Sequence, residues 1–172
     1  MGKMFDAGEF RRSLAAFATG VTTAAGKGRH VGLTINSFAS VSLAPPLVLW
    51  SLCNTSPNLA VFSRAKYFAI NVLTVDQREL SQRFSTLADK FDGMTVGSGY
   101  DGIPLIEGCV AQFECIRRRG YDEGDHVIFI GEVVRHWQRI QSHDPLIFCD
   151  GAYKSLKEIT KENSPRPSLR AK

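Results

Sequence analysis

The chain is short of the features that announce many functions. Its 172 residues hold no apolar run approaching the ~18–20 residues of a membrane-spanning helix. The first residues, Met1-Gly2-Lys3-Met4-Phe5-Asp6, lack the apolar stretch of a secretory signal. A soluble, cytoplasmic protein with no membrane association is therefore expected. Four cysteines, Cys53, Cys109, Cys115 and Cys149, form no CxxC pair and stand at no zinc-finger spacing from a histidine, so reduced thiols and no metal site are expected. Also missing are a GxGxxG turn between strand and helix, a GxSxG elbow, a GxxxxGK[ST] loop and an HExxH helix. Rossmann dinucleotide binding, serine hydrolysis, nucleotide triphosphatase activity and zinc proteolysis lose their usual support.

What is present is ordinary globular material, 44% apolar and 22% charged. The formal charge is +4, and the last twelve residues contribute most of it: Lys161, Arg166, Arg170 and Lys172 stand against Glu162. The rest is near neutral, without the dense basic face that a phosphate backbone requires, and Arg117-Arg118-Arg119 reads as a solvated strand end. No nucleic-acid partner is expected. The length fits one domain over residues 1–160, followed by a basic, disordered tail at 161–172, where Ser164-Pro165-Arg166-Pro167-Ser168 offers little apolar surface to offset ordering.

Asp6 and Glu9 form a capping-box pattern before Phe10, Leu14 and Phe17, so a first helix is expected over residues 6–18. Short β-rich runs follow at 21–25, 30–37, 40–43 and 47–52, broken by glycines and by Pro45-Pro46. Ser56-Pro57 reads as a helix start, residues 67–72 as a strand, and Asp76 with Glu79 as the cap of a helix over 76–84. Glycine-rich residues 86–104 read as a long loop. Long strands are expected at 109–119 and 126–138, with the first placing Cys109, Ala111, Phe113 and Cys115 on one face as core residues. A final pair at 145–149 and 152–156 turns at Asp150-Gly151. Strands so close together, with few helices between them, favour an antiparallel barrel over a doubly wound parallel sheet.

Two segments could carry chemistry. In Thr34-Ile35-Asn36-Ser37-Phe38-Ala39-Ser40-Val41-Ser42, small hydroxyl and amide side chains could hydrogen-bond a planar heterocycle, although a Ser- and Asn-rich turn is the simpler reading of composition alone. At Ser56-Pro57-Asn58, a helix start could receive a phosphate, or serve as an ordinary cap. Together they offer places for the ring and the phosphate of a flavin mononucleotide.

At these residues the chain resembles a known family. Thr19-Gly20-Val21-Thr22, the run from Gly32-Leu33-Thr34 through Leu43-Ala44-Pro45-Pro46, Phe68-Ala69-Ile70-Asn71-Val72-Leu73, Gly124-Asp125-His126 and Gly151-Ala152-Tyr153 occur in the order expected of flavin reductases of the FMN-binding split-barrel superfamily. The similarity is to the short-chain reductase components of two-component monooxygenases, of the 4-hydroxyphenylacetate 3-monooxygenase reductase type, and covers about residues 6–157.

That resemblance implies a mainly β protein, a Greek-key antiparallel split barrel with a few flanking helices, assembled as a homodimer. It implies FMN or FAD as flavin, NADH or NADPH as hydride donor, and a monooxygenase partner that receives reduced flavin by diffusion. Thr34, Asn36, Ser37 and Phe38 would line the flavin ring with Val21 and Thr22. Ser51 and Leu52 would offer backbone contacts, and Ser56 and Asn58 would face the phosphate. Phe84, Lys90 and Phe91 match a segment near the flavin, and Tyr153 would help close the pocket, with core packing the alternative for the aromatics. His126 would lie on the nicotinamide side, where it could hydrogen-bond the nucleotide; a general-acid role has less behind it, since hydride transfer asks the protein mainly for orientation and electrostatics. The competing readings are a flavin-binding electron carrier or oxidase on the same barrel, and an oligonucleotide-binding barrel.

Overall fold

The computed structural model describes residues 6, 8–10, 13, 19–26, 29–86, 90–139 and 143–156. Seven strands make one antiparallel sheet: β1 (Gly20–Gly26), β2 (Arg29–Ile35), β3 (Ala39–Leu43), β4 (Pro46–Cys53), β5 (Tyr67–Val72), β8 (Ala111–Glu123) and β9 (His126–Gln138). Their spatial order is β2-β1-β5-β8-β9-β4-β3. The sheet curls on itself, because Ala24, Val31, Trp50, Ile70, Phe113 and Phe129, contributed by six different strands, pack into one buried cluster. The result is an antiparallel barrel left open between β2 and β3, the mainly β split barrel that the resemblance implies.

Alternation decides which side chains enter. In β9, Val127, Phe129 and Val133 are buried while their neighbours are not. Cys109, Ala111, Phe113 and Cys115 are all fully buried, and burial pushes the thiol of Cys109 up to about 12 and that of Cys115 well above its ordinary value. Both are therefore inert thiols of the core. At the centre, the buried Asn71 amide donates to Val21 O (3.1 Å) and Thr23 Oγ1 (3.2 Å) and accepts from Ile106 N (3.0 Å) and Gln112 Nε2 (2.9 Å). One side chain thus fastens the segment at Ile106 to β1, β5 and β8.

Helices α1 (Leu59–Arg64) and α2 (Arg78–Thr86) flank the barrel. A single 3-10 turn, Val75–Gln77, precedes α2, and its capping box is Thr74 with Gln77 rather than Asp76 with Glu79. Both pairs carry the same spacing signature; Thr74 prevails because its extended backbone suits the cap. Helix α1 starts after Asn58, two residues later than Ser56-Pro57 suggests. Of the first expected helix, residues 8–10 and 13 are helical and Asp6 Oδ1 accepts the Glu9 N–H at 2.7 Å; Leu14 and Phe17 lie outside the described residues.

Residues 86–104 hold more structure than a loop, since β6 (Gly97–Ser98) pairs with β7 (Pro104–Leu105). Strand β8 runs on to Glu123, so the turn between the long strands shrinks to Gly124-Asp125, with Gly124 at φ 61° as a two-residue hairpin demands. Strands β10 (Ile147–Cys149) and β11 (Ala152–Lys154) join at Asp150-Gly151, both residues with positive φ, as an Asp-Gly hairpin turn predicts. Among the described residues, no helix is long and apolar enough to cross a membrane.

Candidate functional site

A cleft follows β2 between helix α2, the 53–58 turn and the β10–β11 hairpin. Its middle lobe, about 520 Å³, is lined by Arg29, Thr34, Ser56, Asn58, Phe84, Ser85 and Lys90. A smaller lobe of about 220 Å³ lies among Thr19, Thr34, Asn36, Ser81, Ser85, Phe148 and Tyr153. A third, about 400 Å³, is lined by Arg29, His30, Gly32, Asn58, Lys90 and Phe91. Shared lining residues set the three side by side: Thr34 and Ser85 border the first two, while Arg29, Asn58 and Lys90 border the middle and third.

The small lobe is built from hydroxyls and aromatic rings. Thr34 Oγ1 donates to Ser81 O at 2.6 Å, tying β2 to α2. Tyr153 donates its phenolic proton to Ser81 Oγ at 3.0 Å, beneath the Arg78 guanidinium 5.3 Å from its ring and beside Phe148, whose ring centroid is 5.1 Å away. The Phe148 N–H is anchored on Thr19 Oγ1 at 3.0 Å, so the hairpin is fixed at this end of the cleft. Asn36 is exposed, and its amide has no hydrogen-bond partner among the described residues.

The opposite end is cationic. Lys90 Nζ donates to Phe84 O at 2.6 Å, and partial burial lowers its pKa below that of an ordinary lysine. Arg83 reaches from α2 to Lys90 O at 2.7 Å and to Asp92 O, holding the 90–92 segment in place. Ser56 Oγ accepts the Asn58 N–H at 3.3 Å, keeping its own proton for another acceptor. With only six residues, α1 has little dipole to offer, so the positive field comes from Arg29 and Lys90. Neither cation pairs with a carboxylate among the described residues.

Gly32 explains how the floor is shaped. A Cβ there would stand 2.6 Å from Phe84 Cε1, so only glycine lets that ring lie flat against β2. Phe84 in turn meets Phe91 edge to face at 5.1 Å, and Phe91 meets His30 at 5.5 Å.

Thr34, Asn36, Ser56, Asn58, Phe84, Lys90, Phe91 and Tyr153 are therefore brought together along one cleft. Val21 is fully buried behind it, in a cluster with Phe84 and partly buried Phe91 and Tyr153. Thr22 is buried too, donating to Ala69 O at 3.3 Å. Ser37 and Ser51 hold each other: the Ser37 hydroxyl accepts from Ser51 N at 3.0 Å and donates to Ser51 O at 3.2 Å. Leu52 is a core residue opposite Val127, and Phe38 packs on Phe113 with centroids 5.4 Å apart.

His126 lies outside the lining of the three lobes, at the tip of the β8–β9 hairpin opposite Cys53, with Nδ1 2.7 Å from Asp125 Oδ1. Its imidazole holds the Asp125 carboxyl below the ordinary carboxylate range. The hairpin touches the 53–58 turn where Asn54 N donates to Asp125 O at 2.8 Å.

Arg29, His30, Ser81, Ser85 and Phe148 line the cleft without a motif to announce them. Arginine at the head of a strand looks like any surface charge. Ser81 and Ser85 carried a weak signal, being small polar residues one helical turn apart on α2.

With this geometry in place, the relatives become informative. The flavin reductase like domain model matches residues 11–157. "FMN reductase (NADH) SmoA" of Agrobacterium fabrum is 48% identical over 146 residues, 84% of this chain and 83% of that protein. The reductase component of a flavin-dependent trigonelline monooxygenase from Acinetobacter baylyi is 41% identical over 129 residues, 73% of this chain; the chain spans only 42% of that relative's length. Among solved structures, the NADH:FAD oxidoreductase SgcE6 of Streptomyces globisporus, in complex with NAD and FAD fragments, aligns with TM-score 0.75 and 29% identity, over 95% of this chain and 100% of that one. A domain match across most of the chain, on a split barrel with a cleft of this character, places the protein in the flavin reductase like domain family.

Proposed function

We propose that this chain is an NAD(P)H-dependent flavin reductase that supplies reduced FMN or FAD to a partner monooxygenase. One observation carries the reading: a single cleft with the Asn36 amide and hydroxyl side chains beside aromatic rings at one end, and with Arg29 and Lys90, which pair with no carboxylate among the described residues, toward the other. The relatives' names agree with it. A flavin fits the residues present, because the Asn36 amide can answer a heterocycle's polar edge, while the Ser56 hydroxyl and Lys90 ammonium can answer a phosphate. When bound, the flavin supplies the redox chemistry, taking hydride from reduced nicotinamide.

The protein's own part is positioning. Thr34 and Tyr153, both bonded to Ser81, fasten β2 and the β10–β11 hairpin to α2 at the ring end. Ser37 and Ser51 fasten the turn between β2 and β3 to β4. Phe84 and Phe91, backed by Val21, form the apolar wall. His126 is assigned to the nicotinamide side, reached across the 53–58 turn; because it orients rather than reacts, its replacement by Ala lowers turnover severalfold without abolishing it.

A homodimer belongs to the same proposal. Edge strand β3 carries Val41 at 48% exposure, an apolar side chain on an open sheet edge that a second copy would cover. A fully active monomer in sedimentation at micromolar concentration overturns that part. The function is tested by mixing purified protein with NADH or NADPH and free FMN or FAD. Flavin-dependent loss of the reduced-nicotinamide absorbance is expected; its absence with every pair leaves an electron carrier or oxidase on the same fold.

A further inference from the structure

We propose that Ser81 is a positioning residue for flavin exchange: its hydroxyl latches the β10–β11 hairpin through Tyr153 at the small lobe, and this latch sets how fast flavin leaves. The inference rests on the flavin-reductase reading, because a reductase that supplies reduced flavin to a second protein must also let go of it. Ser81 is fully buried on the inner face of α2, one turn before Phe84, at a position where an apolar side chain is the ordinary occupant. Its hydroxyl oxygen accepts the phenolic proton of Tyr153 at 3.0 Å, while its backbone oxygen accepts from Thr34 at 2.6 Å. The two bonds use different atoms, so the hydroxyl can be removed without cutting the tie between α2 and β2.

The hairpin is a segment that needs a latch. Its strands have three residues each and form a sheet of their own, with no ladder to the seven-stranded sheet among the described residues. A two-stranded ribbon of this kind is marginal by itself and opens at low cost. Its base is fixed, since Val75 N donates to Asp144 O and Leu146 N to Leu73 O, both at 2.9 Å. Beyond the base, the incoming strand is held at Phe148 N on Thr19 Oγ1 and the outgoing strand at Tyr153, while the tip, residues 149–152, is exposed. Loss of the Tyr153 bond therefore loosens the outgoing strand and leaves the base in place. Tyr153 borders the small lobe together with Thr34 and Asn36, so a swing of its ring opens that lobe. The Arg78 guanidinium, 5.3 Å from the ring centroid, packs on the ring and not on the hydroxyl, so Tyr153→Phe keeps that contact.

The test measures FMN release by stopped-flow fluorescence, together with kcat and the KM for FMN at saturating NADH, in wild type, Ser81→Ala, Tyr153→Phe and the double variant. Each single variant should release FMN about three- to tenfold faster, the scale of one neutral hydrogen bond, and raise the KM for FMN without lowering kcat. The double variant should release FMN no faster than either single one, because both changes remove the same bond. Tyr153→Phe carries the test by itself if Ser81→Ala fails to fold. Unchanged release in Tyr153→Phe overturns the proposal. So do additive effects in the double variant, which would show Ser81 acting apart from Tyr153, a fall in kcat at unchanged KM, and a lowered urea midpoint of Ser81→Ala with wild-type release. Wild-type protein that reduces neither FMN nor FAD sinks the underlying reading, whereas normal reduction with wild-type release in the variants sinks this inference alone.

Discussion

Lys90 shows how one residue sets a pH dependence. Burial disfavours its charged form, so its pKa lies below the ordinary lysine value. In the proposed site the protonated ammonium would attract the flavin phosphate. Affinity for FMN is therefore full while Lys90 is charged and falls as pH rises through that lowered pKa, earlier than an exposed lysine would allow. Riboflavin, lacking the phosphate, should show no such fall, and Lys90→Met should remove the dependence for FMN; titrations across the alkaline range check both. The polar lining was legible because Asn36, Ser56 and Asn58 are types that hydrogen-bond and cluster near turns. Arg29 was not legible, since what distinguishes it is the lack of a carboxylate partner, which only three dimensions reveal. Leu52 and Phe38 came forward through family resemblance, and their burial shows why composition alone would read them as core.

Among the elements, β2 is the one on which the cleft depends. Gly32→Ala should drive a methyl group into Phe84 and cost about 1–3 kcal/mol of stability, the range for overpacking a filled site. Because Phe84 also meets Phe91, flavin affinity should drop together with the urea midpoint. Element boundaries were legible where turn chemistry is strict, as at Asp150-Gly151. They were ambiguous where two cap signatures overlap, as at Thr74 and Asp76. Strands β6 and β7 escaped because two residues show no periodicity.

For the whole molecule, close-set strands with few intervening helices were enough to indicate a barrel, while its open side depends on long-range pairing that no local pattern encodes. The proposed domain limits make the tail dispensable for chemistry. Truncation after Asn163 removes Arg166, Arg170 and Lys172 and no acid, taking the net charge from +4 to +1. NADH oxidation with free flavin should persist, and loss of coupled hydroxylation alone would identify the tail as a docking segment. The open side has a further consequence. Among the described residues strand β2 pairs only with β1, so its outer amides are a template open to another chain. A flavin lying along that strand would shield the template as well as serve the chemistry. Colloidal stability then becomes linked to cofactor supply, and protein freed of flavin should scatter light sooner on warming than protein kept saturated with it.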